Sequence, residues 1–421
     1  MGEEIEIGLE PEVFFKIESG KDLGHFLADF EWKSFVNGGY IIRAKFSDPY
    51  LTMLRKLMSE NQDFLGNARK KETKIKFQIY WKDIAKKTPK RLAFITDIDI
   101  IGNAAFSGFE IIAVDPPSWY LNAGNGSGKV YEGRVSDVIK EVIKEYTKGG
   151  IKATVTKTED NPKGIWPMMR QDPKTFIRSL LDWSCSFTKK RTNWLITSKD
   201  DEIVIQEQFD MRQHAESFGT LDANFGSKPN DILKFNLVSN VFMSTIQNRL
   251  TTQGLSSVSG KYLDKETDKD KVEVRDDNTG NKINAKIDKR LGYTKSDKNW
   301  STSIMAIPEP TGGELGKTYD EFVDGRARNI YMNMLPMVMR MMVTINGDYR
   351  FNDSSKLGVS SIKLSWKDEE DKDYFLSGKW LVYGFHHRII TTLASKNSKP
   401  KWETDLYLYR IDHDANAKPA K

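Results

Sequence analysis

Sulfur chemistry is almost missing from this chain: Cys185 is the single cysteine in 421 residues. An intramolecular disulfide and a cysteine-rich zinc site are thereby excluded, and assembly in a reducing cytoplasm is the natural expectation. Histidine is nearly as scarce, limited to His25, His214, His386, His387 and His413. No HExxH or other metal-ligand spacing exists among them. No apolar run approaches the length that crosses a bilayer, so no membrane insertion is expected. The opening Met1-Gly-Glu-Glu-Ile-Glu6 is acidic and lacks an apolar segment, so no secretory signal is expected. Glu6 also departs from the myristoylation pattern. Charge of one sign is lacking too. With 64 basic against 59 acidic side chains the net charge is +5, a weak bias over this length. A dedicated nucleic-acid binder concentrates basic charge with interleaved aromatics. Here the lysine runs Lys70–Lys76, Lys82–Arg91 and Lys189–Arg191 are broken by acidic or strand-like segments. They read as solvated surface, with the lining of a nucleic-acid channel as the other reading.

What is present is mostly strand pattern. Ile75, Phe77, Ile79 and Trp81 alternate with Lys74, Lys76, Gln78 and Tyr80, the period of a half-buried strand. Ile5–Ile7, Tyr40–Phe46, Leu92–Ile101 and Phe109–Val114 are further candidates, and Pro116-Pro117 stops the last. Between them Tyr50–Met58 reads as one helix, opened by Asp48 as cap and Pro49 as first helical residue. Val135, Val138, Ile139, Val142, Ile143 and Tyr146 then mark one helix face, and Gly149-Gly150 suits a left-handed stop. Ile151–Val155 alternates as a strand. A second helix opens at Asp172-Pro173 and carries Phe176, Ile177, Leu180, Leu181 and Trp183. Strands Asn193–Thr197 and Glu202–Gln206 follow around the charged turn Lys199-Asp200-Asp201. Ile232–Val238 and Val241–Ile246 return to strand signals. Lys261–Asn299 is dominated by charged residues and asparagine. Alternation of Val272 with Val274, and of Ile283, Ala285 and Ile287, there favours a projecting hairpin over a disordered loop. Ile307–Gly313 is irregular and Tyr319–Leu335 helical. The methionines from Met332 to Met342 read as flexible core filling. Met342–Ile345 turns at Asn346-Gly347-Asp348, before strands at Ser361–Trp366, Lys379–Arg388 and Trp402–Tyr409. No exact repeat is visible, so kinship between the two β-rich parts would have to be structural.

No constellation carries chemistry. Ala123-Gly-Asn-Gly-Ser-Gly128-Lys129 approaches a phosphate loop, but Val130 stands where a Mg²⁺-binding Ser or Thr belongs. Tyr131-Glu-Gly133 delays the helix, so an interdomain linker is the favoured reading. His386 and His387 are adjacent and on a strand would face opposite sides, which precludes joint chelation. No GxSxG elbow appears, and no carboxylate pair is singled out for glycoside hydrolysis. Catalytic, cofactor-binding and metal residues are accordingly expected to be none, and no cofactor is implied. Aromatics at 11%, placed on alternating strands, read as packing rather than as a sugar-binding face.

The last third resembles the central hub proteins of contractile-tail baseplates: the T-even-type phage hub, the late control protein D family and the hub of type VI secretion spikes. Three segments carry the resemblance: Val343–Phe351 with its Gly347-Asp348 turn, Ser377–Arg388 running up to His386, and Trp402–Arg410 closing as Thr-x-Leu-x-Leu-x-Arg. Tyr131-Glu-Gly133-x-Val135 through Ile139, and Pro173-x-x-Phe176-x-x-x-Leu180-x-x-Trp183, are similar to the two middle helices of that family. Together they span about residues 120–210 and 330–412. The resemblance implies an α+β, mainly β fold of two tube-type antiparallel β-barrels with an intervening α+β domain. The division would be 1–118 for the first barrel, 119–230 for the α+β domain continuing in an insert near 255–320, and 231–254 with 321–421 for the second barrel. It further implies a non-enzymatic homotrimeric ring in the virion tail, assembled in the host cytoplasm. That ring would adapt a sixfold tail tube to a threefold central spike and leave a channel for DNA passage during ejection. Partners would be the tube or tube-initiator protein and the spike, with tape measure and baseplate wedge proteins as further candidates. Two other readings stay open on the residues alone. A tail-associated cell-wall or glycan hydrolase predicts a cleft with facing carboxylates. A carbohydrate- or nucleic-acid-binding module predicts an exposed aromatic stripe or a continuous basic patch.

Overall fold

A computed structural model describes residues 10–17, 20–60, 73–82, 86–102, 107–123, 128–155, 163–183, 194–198, 200–207, 216–222, 231–240, 339–352, 360–365, 376–390 and 400–410. In chain order the elements begin with strands β1 (Pro11–Ile17), β2 (Leu27–Phe35) and β3 (Gly39–Ser47), then helix α1 (Thr52–Glu60). Strands β4 (Lys74–Trp81), β5 (Arg91–Gly102) and β6 (Ser107–Val114) follow. The middle holds α2 (Pro116–Ala123), β7 (Val130–Arg134), α3 (Val135–Tyr146), β8 (Lys152–Val155), β9 (Lys163–Pro167), α4 (Pro173–Trp183), β10 (Trp194–Ser198) and β11 (Glu202–Glu207). The remainder is β12 (Glu216–Asp222), β13 (Ile232–Asn240), β14 (Met339–Asn346), β15 (Ser360–Ser365), β16 (Gly378–Ile390) and β17 (Lys401–Arg410).

The fold is mainly β. One sheet runs in the order β1-β4-β5-β6-β3-β2-β16-β17-β14-β13, and β12 and β15 join it beside β16. The two halves meet where β2 pairs antiparallel with β16, from Phe35 opposite Gly384 to Asp29 opposite Ile390. Gly384 permits this approach: a Cβ there would lie 2.3 Å from the Phe35 ring. Each half repeats one plan. The order β4-β5-β6-β3-β2 of the first corresponds to β15-β16-β17-β14-β13 of the second. Irregularities fall at matching steps, at Ile95/Asp97 and Val382/Gly384, and again at Leu27/Asp29 and Ile232/Lys234. The added sixth strands differ, since β1 pairs antiparallel with β4 while β12 pairs parallel with β15.

Alternation along each strand sends one set of side chains into a core common to both halves. Ile95, Ala113, Ile42, Trp32, His387, Thr404, Ile345 and Ile232 are successive neighbours across eight strands, and all are buried. A second core unites α3 and α4 with the three-stranded sheet β10-β11-β8 and the pair β7-β9. Its helices form as the sequence indicates. Val135, Val138, Ile139, Val142 and Ile143 are buried, and Gly149 ends α3 at φ 76°. Asp172 caps α4 by accepting the Thr175 amide at 2.8 Å.

Several expectations need correction. Asp48 does cap α1, accepting the Thr52 and Leu54 amides at 2.9 and 3.0 Å. The helix starts at Thr52, though, so Pro49 lies in a preceding turn and not at the first helical position. Asp48→Ala is expected to cost about 1 kcal/mol, read as a lower denaturant midpoint; an unchanged midpoint would mean the cap contributes nothing. Pro116 and Pro117 do more than stop β6. They open α2, with Asp115 accepting the Ser118 amide at 3.2 Å. Arg91 is not solvated: it is buried and donates to the Asn352 carbonyl. Of the methionine run, Met341 fills the core. Ile5–Ile7, Val241–Ile246, Lys189–Arg191, the charged stretch 261–299 and the helix expected at Tyr319–Leu335 lie outside the described residues.

The α+β unit is docked on the β2–β3 turn. The Asn37 amide donates to the Ile196 carbonyl and the Ile196 amide to Asn37 Oδ1, both at 2.7 Å, so the turn extends the edge of β10. Lys174 Nζ donates to the Gly38 carbonyl at 3.2 Å, and buried Asp115 accepts the Tyr40 amide at 3.0 Å. The turn expected at Lys199-Asp200-Asp201 reaches back to the first half, where Asp200 accepts the Tyr40 hydroxyl at 2.6 Å and lies 3.9 Å from Arg91.

Candidate functional site

The side of the long sheet opposite the core carries charges in rows that run across the strands. One row reads Asp97, Ile112, Arg43, Glu31, Arg388, Glu403, Asn346 on neighbouring strands. A second reads Asp99, Glu110, Lys45, Asp29, Ile390, Lys401. A third reads Lys33, His386, Asp405, Thr344, Lys234. In the first row acid and base alternate across the β2–β16 joint, as Arg43, Glu31, Arg388 and Glu403, whereas Ile390 interrupts the second row there and Lys33 faces His386 in the third; opposite charges directly across strands are the favourable arrangement. Arg388 ties the rows together, lying 3.1 Å from both Glu403 and Asp405. Lys45 lies 3.5 Å from Asp29, and Thr344 donates to Asp405 at 2.6 Å. His386 sits between Glu31 at 3.3 Å and Asp405 at 3.7 Å, ion pairs whenever its imidazole is protonated.

The electrostatics follow from these neighbours. His386, with Lys45 and Arg43 beyond it, holds Glu31 below the usual carboxylate range. Burial raises Asp29, an effect that Lys45 partly offsets. Burial alone would also raise Glu403, but the Lys401 ammonium and the Arg388 guanidinium bring it below its ordinary value. The more exposed of these pairs, Lys45 with Asp29, contributes about 0–1 kcal/mol, whereas Asp405 is buried between Arg388 and Thr344. At the end nearest the α+β unit, Phe35, Tyr383 and Tyr407 form an aromatic cluster with ring centroids 4.8–6.3 Å apart, and Lys33 lies 5.3 Å over Phe35.

No residue stood out in the sequence as catalytic, cofactor-binding or metal-ligating, but the candidates weighed there can now be placed. His386 and His387 do face opposite sides of β16. His387 is fully buried, with Nε2 2.6 Å from the Phe351 carbonyl and Nδ1 3.2 Å from the Trp402 indole N–H that donates to it. Residues 124–127 of the glycine-rich segment lie outside the described residues. Lys129 beside them pairs with Glu145 at 2.7 Å and Glu141 at 3.1 Å. Among the described residues no group of three or more His, Cys, Asp or Glu side chains is placed to hold a metal ion. The carboxylates that burial raises, Asp29, Asp115 and Asp200, are engaged with Lys45, with the Tyr40 and Ser118 amides, and with Tyr40 and Arg91. A cleft beside the junction, lined by Asn37, Gly39, Ser118, Lys174, Ile196 and Ser198 among others, offers about 20 Å³ to water-sized solvent, room for one water. The charged face itself was missed, because its order lies across strands and only the register reveals it.

No family model and no curated protein matches the sequence. Solved structures do. The 43 kDa tail protein of prophage MuSo2 from Shewanella oneidensis superposes with a TM-score of 0.54 over 96% of this chain and 99% of that one, at 11% identity. The chain has the fold of phage tail proteins. A tail protein from Neisseria meningitidis MC58 gives a TM-score of 0.51 at 10% identity, covering 95% and 97% of the two chains. A chain of the Francisella PdpA–VgrG complex gives 0.52 at 11% identity, over 95% of this chain and 53% of that one. This tail-protein fold is consistent with the baseplate-hub family that the C-terminal motifs resemble.

Proposed function

We propose that the chain is a structural, non-enzymatic hub of a tail baseplate, in which three copies form a ring around a channel. The observation that carries this reading is the continuous sheet with a buried core on one side and charged side chains of both signs, intermixed, on the other. Turned inward, such a face presents water-loving side chains of both signs and no net field to a polyanion. DNA then finds no run of cations to displace its counterions and passes without sticking. Three copies with eight strands each in the row-bearing part of the sheet, at about 4.8 Å per strand, give a circumference on the order of 115 Å. Allowing about 5 Å of side chain on each wall leaves a bore roughly 25 Å wide, of the order a nucleic-acid duplex needs. On this reading the chain divides into a first barrel at 1–118, an α+β unit at 119–230 and a second barrel at 231–254 and 321–421, to which β12 also contributes. A tube protein would meet one end of the ring and a spike the other, in a virion tail assembled in the host cytoplasm.

Light scattering on the purified chain, with negative-stain microscopy of the same fraction, tests the ring. A trimeric mass with annular particles is expected. A chain that stays monomeric even with its tube and spike proteins sinks the proposal. The bore has its own test. Glu31→Gln with Glu403→Gln makes the face basic, and the assembled variant should retain DNA at low salt at least three- to tenfold more tightly than the parent, with the difference vanishing as salt rises. Equal gel-shift behaviour of variant and parent would take this face out of the channel.

A further inference from the structure

The lysine runs Lys70–Lys76 and Lys82–Arg91, separate in the sequence, meet on one face through their described members. Strands β1 and β4 pair antiparallel and set Lys16 directly opposite Lys76. Lys74 lies two residues along β4 and so on the same side. The chain between β4 and β5 returns along β4, with Lys87 opposite Tyr80 and the Lys90 ammonium 4.9 Å over the Phe14 ring. Lys74, Lys76, Lys87 and Lys90 are exposed, and Lys16 is half-buried. The carboxylates beside them are engaged elsewhere. Glu12 accepts the Tyr80 hydroxyl at 2.6 Å and lies 3.5 Å from Lys82. Asp22, opposite Lys16 on the other side of β1, accepts the Phe15 and Gly24 amides at 2.9 Å.

This face looks away from the charge rows. The opposite side of β1 and β4 sends Phe15 and Phe77 into the core. There Phe15 lies 5.2 Å from Phe46, and Phe77 lies 5.7 Å from Phe30 and 5.2 Å from Trp32. β1 and β4 therefore lie across the core from β2 and β3, and the outer sides of the two layers point in opposite directions. One outer side mixes both signs, and the other is basic. Like charges directly across a strand pair destabilise it. The Lys16–Lys76 pair thus works against folding, and an anion seated over it would remove that cost.

We propose that the outer side of β1 and β4 is a docking face for an acidic protein surface, one rich in Asp and Glu. The class of partner follows from the side chains. The described cations of the face are all lysines, flexible point charges, with no arginine fork to grip a phosphate in two places. Arg91, at the end of the second run, is buried and turned to the Asn352 carbonyl. The rings are engaged as well, Phe14 under Lys90 and Tyr80 with Glu12, so neither is open for a nucleic-acid base to stack on. Carboxylates fit between lysines that stand about 5 Å apart across the strands and about 7 Å apart along one. The face does not depend on the ring reading, on which β1 and β4 would form the outer wall.

Fluorescence anisotropy on the full chain tests the face with dye-labelled oligoglutamate as probe. A labelled DNA duplex, and co-sedimentation with phosphatidylglycerol vesicles, are run beside it. The oligoglutamate should bind at low salt and be released as salt rises. Lys16→Glu with Lys76→Glu should weaken it about tenfold, whereas Lys144→Glu with Lys363→Glu, exposed lysines elsewhere, should leave it within about twofold at the same net charge. Lys16→Glu alone sets opposite charges across β1 and β4, so it should weaken the probe while raising the denaturant midpoint. A misfolded variant would instead lose both. No binding, or equal loss in the two double variants, overturns the proposal. Tighter binding of the duplex or the vesicles, lost in the same variant, overturns the acidic protein and assigns the face to that ligand. A chain that stays monomeric with its tube and spike proteins overturns the ring and leaves this face standing, because the probe reads a single chain.

Discussion

Acidification from neutrality to about pH 4 is expected to remove roughly 3 kcal/mol of stability through one imidazole, that of His387. Burial in the common core pushes its pKa down from 6.5 to about 4, only partly countered by the Phe351 carbonyl and by Asp348. The hydrogen bonds explain why the neutral form fits. The Phe351 carbonyl can only accept, so Nε2–H donates to it, and in the neutral ring Nδ1 is left to accept from the Trp402 indole, with the Thr404 hydroxyl also beside it. A second ring proton would displace the Trp402 N–H from Nδ1 and find only the Thr404 hydroxyl, 2.8 Å away, to accept it. The sign follows by linkage. Between about pH 6.5 and 4 the unfolded chain binds a proton that the folded chain refuses, so stability is fully present above 6.5 and falls as pH drops. Burial-raised Asp29, Asp115 and Asp200 act in the opposite sense, since their folded forms hold protons more firmly and favour acid. The measurement is therefore a difference: denaturant midpoints at neutral and mildly acidic pH for the parent and for His387→Gln, whose amide can keep both hydrogen bonds. Parent and variant curves of identical pH dependence would show that His387 is not the titrating group.

Trp32→Ala should destabilise the sheet by about 3–5 kcal/mol. The indole is fully buried. Its ring lies 5.2 Å from Phe77 in the first half, and 5.0 and 5.4 Å from Phe385 and His387 in the second. Truncation opens a cavity walled by both halves, so both should lose stability together. Near-UV circular dichroism through a denaturant titration reads the loss. Tyr50→Ala is the comparison: this ring is 82% exposed and should move the midpoint by no more than about 0.5 kcal/mol. Equal effects of the two substitutions would mean that the halves do not share a core at this residue.

Local pattern was a good guide wherever the relevant period lay along the chain. The alternation from Ile75 to Trp81, the apolar stripe from Val135 to Ile143 and the Asp172-Pro173 cap each dictate an element, because backbone geometry repeats every two or every 3.6 residues. Elements were missed where another feature broke the period. In β2 the irregularity at Leu27/Asp29 shifts the phase, and Ser34 is a polar residue facing inward. In β1, Phe14 fills an outward position and hides the alternation of Val13, Phe15 and Ile17. Asp115-Pro116-Pro117 was taken as a strand stop, although a cap residue before proline is the signal that had correctly marked α4.

The sequence alone determined the mainly β character, the two middle helices, the absence of a disulfide framework and the likeness to tail hubs. Tertiary structure alone decided that β2 pairs with β16 across some 350 residues of chain, that the two halves repeat one plan with matched bulges, and that Arg43, Glu31, Arg388 and Glu403 stand side by side. The physical reason is direction. Strand period runs along the chain and can be read from it, whereas the order of charges on a sheet runs across strands, where neighbours are set by register between distant segments and not by position in the sequence.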